Sequence, residues 1–187
     1  LNNIFKDIEI TKPLEKTPGG KLWHHCYTGG LLEHTIMVVR ACKATAAAYE
    51  HINKSLLITG AMLHDIGKIV EYSTNGFFDY SDEGRLHGHI SIGFHLVAAR
   101  IEKIEEFPDE LKKELLHLIL SHQGSKEHGS PVAPMTREAL ILSSADELDA
   151  KLGAFERIYA REYEPGKKWS NYVNLMDRFF YFGQEKA

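Results

Sequence analysis

The chain has 187 residues, a length typical of one domain and sufficient to bury a core without a disulfide or a structural metal. Its 22 Lys and Arg residues against 26 Asp and Glu residues give a formal charge of -4, which gives no support for a protein that binds nucleic acid chiefly through a basic surface. No apolar run is long enough for a transmembrane helix, so no membrane partner is expected. The two Cys residues are far apart, which indicates reduced thiols in a cytoplasmic protein.

Helical periodicity dominates the chain after an irregular beginning. Residues 1–23 contain Pro13 and a Pro-Gly turn, so we predict an irregular lead-in there, followed by one domain over residues 24–187. Thr28 is the expected N-cap of the first long helix. The predicted helices cover about 30–49, 54–71, 87–103, 108–122 and 136–163, and a last helix is predicted after Trp169. The pattern predicts an all-α domain of about six helices.

The stretch between the second and third predicted helices is rich in Gly and Asp. It predicts a loop between Ser73 and Gly84, with a small hairpin at residues 76–81 that runs through Phe77, Phe78 and Tyr80. Such a hairpin would be the one strand-like element in an otherwise helical chain.

Five helices each place one titratable side chain on an apolar face. His34, for example, lies four residues before Val38 and three after Leu31, so all three share one face. A single buried His is more often a hydrogen-bonded core residue than a ligand, but five such side chains need a common partner. A shared divalent cation satisfies them together, because neutral imidazole and carboxylate are its natural ligands. The five residues are His34, His64, His89, His122 and Asp146.

The adjacent pair His64-Asp65 needs special backbone geometry. Neighbours on a straight helix diverge by about 100°, so both reach one ion only at a helix end or a distortion, which Gly67 permits. Lys68 follows Asp65 by three residues, which places its ammonium beside the expected metal pocket. Two interpretations of Lys68 remain open: an ion pair with Glu71 or Asp65, or a cation that faces a substrate phosphate.

In this order, the residues resemble the HD superfamily of metal-dependent phosphohydrolases. The signature is a His, a His-Asp pair and a later Asp, with two further His residues in members that bind two metals. Several segments are also similar to the HD domain of YhaM-type 3′–5′ exoribonucleases: residues 24–35, 88–91, 120–124, 129–131 and 145–151. The resemblance implies an enzyme that hydrolyses RNA or single-stranded DNA from the 3′ end with a divalent transition metal.

The resemblance also implies roles for individual residues. We expect one ion on His34, His64, Asp65 and Asp146, and a second on His89 and His122, with Asp65 as a bridge and catalytic residue. Lys68 is expected to be catalytic, stabilising the phosphate while a metal-activated hydroxide attacks phosphorus. His25 is expected to contact the substrate or protonate the leaving oxygen, and a structural contact before the helix is the alternative. Mixed imidazole and carboxylate ligands favour one or two ions of Mn, Fe, Co, Ni or Zn over Mg.

Three features depart from the family pattern. Gln123 stands where the family often has a second His, and Ser143-Ser144 stand where it often has His-Tyr. No run of strands typical of an OB domain precedes residue 24, so we expect either that this domain has been removed or that the chain is a stand-alone HD protein. The Gly-Tyr-Pro element of the cyclic-di-GMP phosphodiesterases is absent from the sequence.

Three functions therefore compete. The first is a phosphodiesterase or 3′–5′ exonuclease, and the second is a nucleotide phosphatase, which the mild acidity and the missing OB module favour. The third is a non-catalytic HD module that binds metal and nucleotide. Retention of every expected ligand and of Lys68 favours an enzyme. The sequence carries no signal for the oligomeric state.

Overall fold

The computed structural model describes residues 1–21, 25–73 and 78–183, and their backbone is mostly helical. The helices are α1 (Asn2–Phe5), α2 (Ile8–Leu14), α3 (Gly30–Ala48), α4 (Lys54–Leu63), α5 (Lys68–Glu71), α6 (Asp82–Ile101), α7 (Asp109–Ser121) and α8 (Arg137–Glu162). Strands β1 (Tyr72–Ser73) and β2 (Asp79–Tyr80) pair antiparallel, and 3-10 turns occur at Lys126–His128 and Asn174–Met176. The predicted all-α class is confirmed, with eight helices in the described residues instead of about six.

The core lies between the five long helices, with α4 packed against α3, α7 and α8. Each helix contributes a stripe of fully buried aliphatic side chains, as the sequence periodicity requires. Val38 of α3, Leu57 of α4, Leu118 of α7 and Leu142 of α8 all have no exposed surface. Gly60 lets α4 and α7 approach closely, because a Cβ at this position would lie 2.2 Å from Leu118 Cδ2. This packing fixes the helices that carry the candidate site.

Residues 64–67 interrupt the second predicted helix. Helix α4 ends at Leu63, and the chain turns through residues 64–67 before α5 begins at Lys68. The bonds in this turn span three residues, such as Ile66 N–H to Leu63 O at 3.1 Å and Lys68 N–H to Asp65 O at 3.0 Å. The expected distortion is confirmed, and it allows His64 and Asp65 to point towards one place.

Helix α6 is kinked immediately before His89. Gly88 has φ 71° and ψ 152°, which lie outside the helical region. Glycine adopts such a positive φ more readily than other residues do. The kink exposes the backbone N–H of His89, and the Glu71 carboxylate accepts a hydrogen bond from it at 3.0 Å. The N-terminal half of α6 begins at Asp82, capped by Ser81, so the helix starts earlier than predicted.

The N-terminal segment is more ordered than predicted. The irregular lead-in over residues 1–23 is wrong for the part that α1 and α2 occupy, where Ile10 and Leu14 join the core. The Asp7 carboxylate caps α2 by accepting a hydrogen bond from Glu9 N–H. Pro13 lies inside the helix, close to its C-terminal end. The N-cap of α3 is Gly29, with φ 82°, and not Thr28. Residues 22–24 lie outside the described residues, so His24 of the family-like segment does too.

The predicted last helix after Trp169 is wrong. The described part of this segment forms two isolated antiparallel bridges, Trp169 with Tyr181 and Val173 with Arg178. Phe180 and Phe182 both contact the Phe155 ring of α8 edge-on, so alternate residues face the helix. A period of two residues suits an extended chain and not a helix.

The predicted hairpin exists but is displaced towards the N-terminus. Tyr72 pairs with Tyr80, and Ser73 pairs with Asp79. Phe78 directly precedes β2, whereas Phe77 falls outside the described residues, as does the whole of residues 74–77. None of the described helices combines the length and the apolar character needed to cross a membrane.

Replacing Gly67 with Ala tests the close approach between α5 and α6. A Cβ at Gly67 would lie 2.0 Å from His89 O and 2.6 Å from Gly93 N, and backbone atoms cannot rotate away. We therefore expect Gly67→Ala to lower the free energy of unfolding by about 1–3 kcal/mol or more in a urea titration. Ser144→Ala, on the exposed side of α8, should stay within about 0.5 kcal/mol of the parent. Equal stability of the two variants would contradict this packing.

Candidate metal centre

The five polar side chains selected from the sequence converge, together with Asp65, on one buried place. Three groups of side chains could each hold a metal ion, because the potential ligand atoms within each group lie within 4.8 Å of one another. One of them is His25, His34 and Asp149, and the other two consist entirely of residues selected from the sequence as ligands. Of these two, the first group is His34, His64 and Asp146, and the second is Asp65, His89 and His122. They come from α3, α8, the kinked α6 and the C-terminal ends of α4 and α7. The fold thus brings together every residue that was selected from the sequence for metal binding.

The Nδ1 atom of each of the four His rings has a partner outside the centre, which leaves Nε2 to face the centre. His64 Nδ1 donates to Ala61 O at 2.8 Å, and His122 Nδ1 donates to Ile119 O at 2.8 Å. Both rings thereby satisfy a carbonyl that the end of a helix leaves without a partner. His34 Nδ1 lies 2.6 Å from Asp149 Oδ2.

His89 Nδ1, in turn, lies 3.0 Å from Glu71 Oε1. All four rings therefore turn Nε2 towards the centre, and a partner on Nδ1 is what orients a metal-binding His.

In the first group, imidazoles and carboxylates face each other closely. His34 Nε2 is 3.2 Å from His64 Nε2 and 3.0 Å from Asp146 Oδ1. Asp65 Oδ2 is 3.4 Å from Nε2 of both His34 and His64. Asp65 thus adds a carboxylate oxygen to this group as well as to the second.

In the second group, two buried acceptor atoms have no hydrogen-bond partner among the described residues. They are Asp65 Oδ1 and His122 Nε2, which lie 3.5 Å apart. His89 Nε2 is 3.4 Å from the same Asp65 oxygen. Buried acceptors without a donor are costly, so a cation between them would satisfy the site. The donor set therefore fits a divalent metal.

Lys68 lies beside this centre as expected. Its ammonium is 2.6 Å from Asp65 Oδ2 and donates to Gly19 O at 2.6 Å. The side chain is largely buried, so the N-terminal segment at Gly19 is tied to the carboxylate that both groups share. An ion pair with Asp65 was one of the interpretations of Lys68 that the sequence left open.

Protonation in this site follows from the opposed charges. Burial acts to lower the pKa of His64, but Asp65 and Asp146 raise it to about 9. Burial likewise acts against the charged form of His34, yet Asp146 and Asp149 raise its pKa well above the ordinary value. Burial would raise the pKa of Asp65, but Lys68 and His64 hold it well below the usual range.

His122, by contrast, has a pKa that burial lowers, so it stays neutral at pH 7. Its lone pair is therefore available to a cation without prior loss of a proton.

His25 contacts the first group through Asp149. Its Nε2 is 3.0 Å from Asp149 Oδ2, and its ring centroid is 5.7 Å from that of His34. The backbone of His25 has φ 48°, a strained value for a residue other than glycine. His25 and Asp149 also line a cleft of about 570 Å³ that Tyr27 and Arg157 border. His25 therefore lies between the metal-holding group and an open cleft.

Two residues that orient the site were not selected from the sequence. Asp149 follows Asp146 by three residues, so its position on the same face of α8 was a usable signal. Glu71 reaches His89 only because α5 and α6 pack together, and nothing local in the sequence indicates that contact.

The sequence is similar to a known protein family and to curated proteins. The family model described as the HD domain matches residues 31–151. The 3′–5′ exoribonuclease YhaM of Bacillus subtilis (strain 168) is 39% identical over 158 residues, which cover 84% of this chain and 50% of the relative. The same enzyme from Listeria monocytogenes serotype 4b (strain F2365) is 35% identical over 170 residues, which cover 88% and 52%. The chain thus spans about half the length of these curated relatives.

Among solved structures, the crystal structure of the HD domain of the L. monocytogenes phosphodiesterase PgpH aligns with a TM-score of 0.49 and 18% identity. That alignment covers 78% of this chain and 73% of the other. The family match over residues 31–151 includes every His and Asp of the two metal-holding groups. It confirms the resemblance seen in the sequence, and the chain belongs to the HD domain family.

Proposed function

We propose that this chain is a metal-dependent phosphohydrolase that cleaves phosphodiester bonds at the 3′ end of RNA or single-stranded DNA. The observation that carries the proposal is the placement of Asp65, which turns one carboxylate oxygen to each metal-holding group. A carboxylate shared in this way is suited to two cations held side by side. The relatives that share 35% and 39% of the aligned residues are named 3′–5′ exoribonucleases, which supports a nucleic-acid substrate.

We assign the first ion to His34, His64, Asp146 and Asp65, and the second to His89, His122 and Asp65. When bound, such a pair of ions supplies a nucleophile from water at neutral pH and neutralises the phosphoryl oxygens. Imidazole-rich ligands favour Mn, Fe, Co, Ni or Zn, the ions expected from the sequence.

The protein itself orients the site and holds charge near the phosphate. Asp149 and Glu71 keep the rings of His34 and His89 in the orientation that turns Nε2 to the centre. We assign to the Lys68 ammonium, which lies next to Asp65, the role of donor to a phosphoryl oxygen. His25 borders the cleft beside Asp149, which supports a role in contacting the nucleotide that leaves. A cleft of about 570 Å³ is large enough for a nucleotide.

A substrate panel with Mn²⁺ separates the competing functions. It consists of RNA and DNA oligonucleotides labelled at the 5′ end, nucleoside monophosphates and nucleoside triphosphates. We expect a ladder of products shortened from the 3′ end and no release of phosphate from monophosphates. Phosphate release without oligonucleotide cleavage would instead establish the nucleotide phosphatase. Binding without turnover of any substrate would establish a non-catalytic module.

Asp65→Ala tests the shared carboxylate. The substitution removes an oxygen from both metal-holding groups, so we expect loss of bound metal and of turnover together. Metal content is measured by elemental analysis after gel filtration, and turnover with the labelled oligonucleotide. His117→Ala is the control, because His117 belongs to neither group, and it should change neither quantity. Full metal content and turnover in Asp65→Ala would refute the assignment.

Lys68→Met separates metal binding from chemistry. An ammonium has no lone pair for a metal, so the metal content should be retained. Turnover should fall on the order of 10²–10³-fold if the ammonium stabilises charge on the phosphoryl oxygens. Lys43→Met, on the exposed surface of α3, is the matched control. Unchanged turnover in Lys68→Met would mean that Lys68 only links Asp65 to Gly19.

The pH dependence of metal binding follows from His64. Because its pKa is about 9 in the metal-free protein, the ring is protonated at pH 7 and must lose that proton to bind a cation. The apparent affinity should therefore rise with pH up to about 9, by about tenfold per unit for the proton of His64 and more steeply because His34, whose pKa is also raised, must lose a proton as well. Calorimetry at pH 7 in buffers of different ionisation enthalpy measures the proton release directly. An affinity independent of pH below about 9 would contradict this prediction.

A further inference from the structure

The side-chain amide of Gln123 is hydrogen-bonded to the ring nitrogen with which His89 would bind a metal in the second group. Gln123 Nε2 lies 3.2 Å from His89 Nε2, the atom that faces Asp65. His89 Nδ1 donates its hydrogen to Glu71, so Nε2 carries a lone pair and can only accept. The amide must therefore present its NH₂ group to His89.

The other end of the same amide fits this orientation. A Cβ at Gly129 would lie 3.0 Å from Gln123 Oε1, so the carbonyl end of the amide lies against this glycine. Gly129 has φ 100°, in the left-handed region that favours glycine. The position of the Gln123 side chain thus depends on the absence of a Cβ at Gly129.

One lone pair binds one partner at a time, so His89 Nε2 holds either the Gln123 amide or a metal ion. We propose that Gln123 regulates the second metal position by competing with the cation for His89, which lowers the affinity of that position and makes its ion more readily exchanged than it would be without Gln123. This inference rests on the two-metal site of the proposed function. It assigns to Gln123 a role in metal occupancy that the sequence did not predict.

The two groups differ in what a cation must displace. In the first, a cation must replace the hydrogen shared between the imidazoles and the carboxylates, as between His34 Nε2 and Asp146 Oδ1 at 3.0 Å. In the second, the cation gains Asp65 Oδ1 and His122 Nε2, which are unpartnered among the described residues, but must also break the Gln123–His89 hydrogen bond. Loss of this bond subtracts from the binding of the second ion only.

Titration of the metal-free protein with Mn²⁺ tests the proposal, with free Mn²⁺ followed by electron paramagnetic resonance. The parent should bind two ions, one at each group. Gln123→Met keeps the side-chain length without an NH₂ donor, and it should bind the second ion about 2-fold to 10-fold more tightly, the range of one net hydrogen bond. The affinity for the first ion should not change.

Gln123→Ala should shift the second affinity in the same direction, and circular dichroism shows whether each variant is folded. His117→Ala, outside both groups, should match the parent. An unchanged or weaker second ion in a folded Gln123→Met protein would overturn the proposal, since weaker binding would make Gln123 a ligand. Failure to bind any Mn²⁺ would refute the proposed function itself, so the two failures are distinguishable.

Discussion

A carboxylate buried among imidazoles is stable only when positive charge lies close to it, and Asp65 is such a carboxylate. In the metal-free protein, Lys68 supplies this charge on the Oδ2 side, while Oδ1 faces His89 and His122 without a donor. The requirement for cationic charge on both oxygens connects the fold, the ligand pattern and the proposed chemistry. The turn at residues 64–67 satisfies its geometric part, since it brings His64 and Asp65 to one place.

Three of the four imidazoles in the centre lie where a helix ends or is kinked. His64 and His122 are the C-cap residues of α4 and α7, and each ring satisfies a carbonyl three residues earlier. His89 follows the Gly88 kink, where Glu71 satisfies both its backbone N–H and its ring. Each helix break thus leaves a backbone group that needs a partner, and the side chain that orients the site provides it. This is why the ligand positions tolerate little displacement.

Helical periodicity was sufficient to predict which side chains converge at the candidate metal centre, but not the residues that support them. His34 and Asp146 were found because each lies on an apolar face of a long helix, where a polar group needs a partner. The Glu71 contact was missed because it depends on the packing of α5 against α6. The extended C-terminal segment was missed because Phe180 and Phe182 pack on α8 through tertiary contacts, which override the local helical pattern. Local patterns thus predicted which residues face the core, whereas contacts between elements determined how they are held.

The proposed chemistry requires that two cations share the Asp65 carboxylate. Anomalous diffraction from a crystal of the Mn²⁺-loaded protein, recorded at the manganese absorption edge, locates the ions. We predict two anomalous peaks, one between Asp65 and the pair His34 and His64, the other between Asp65 and the pair His89 and His122. A single peak, or peaks away from Asp65, would show that no pair of ions shares this carboxylate.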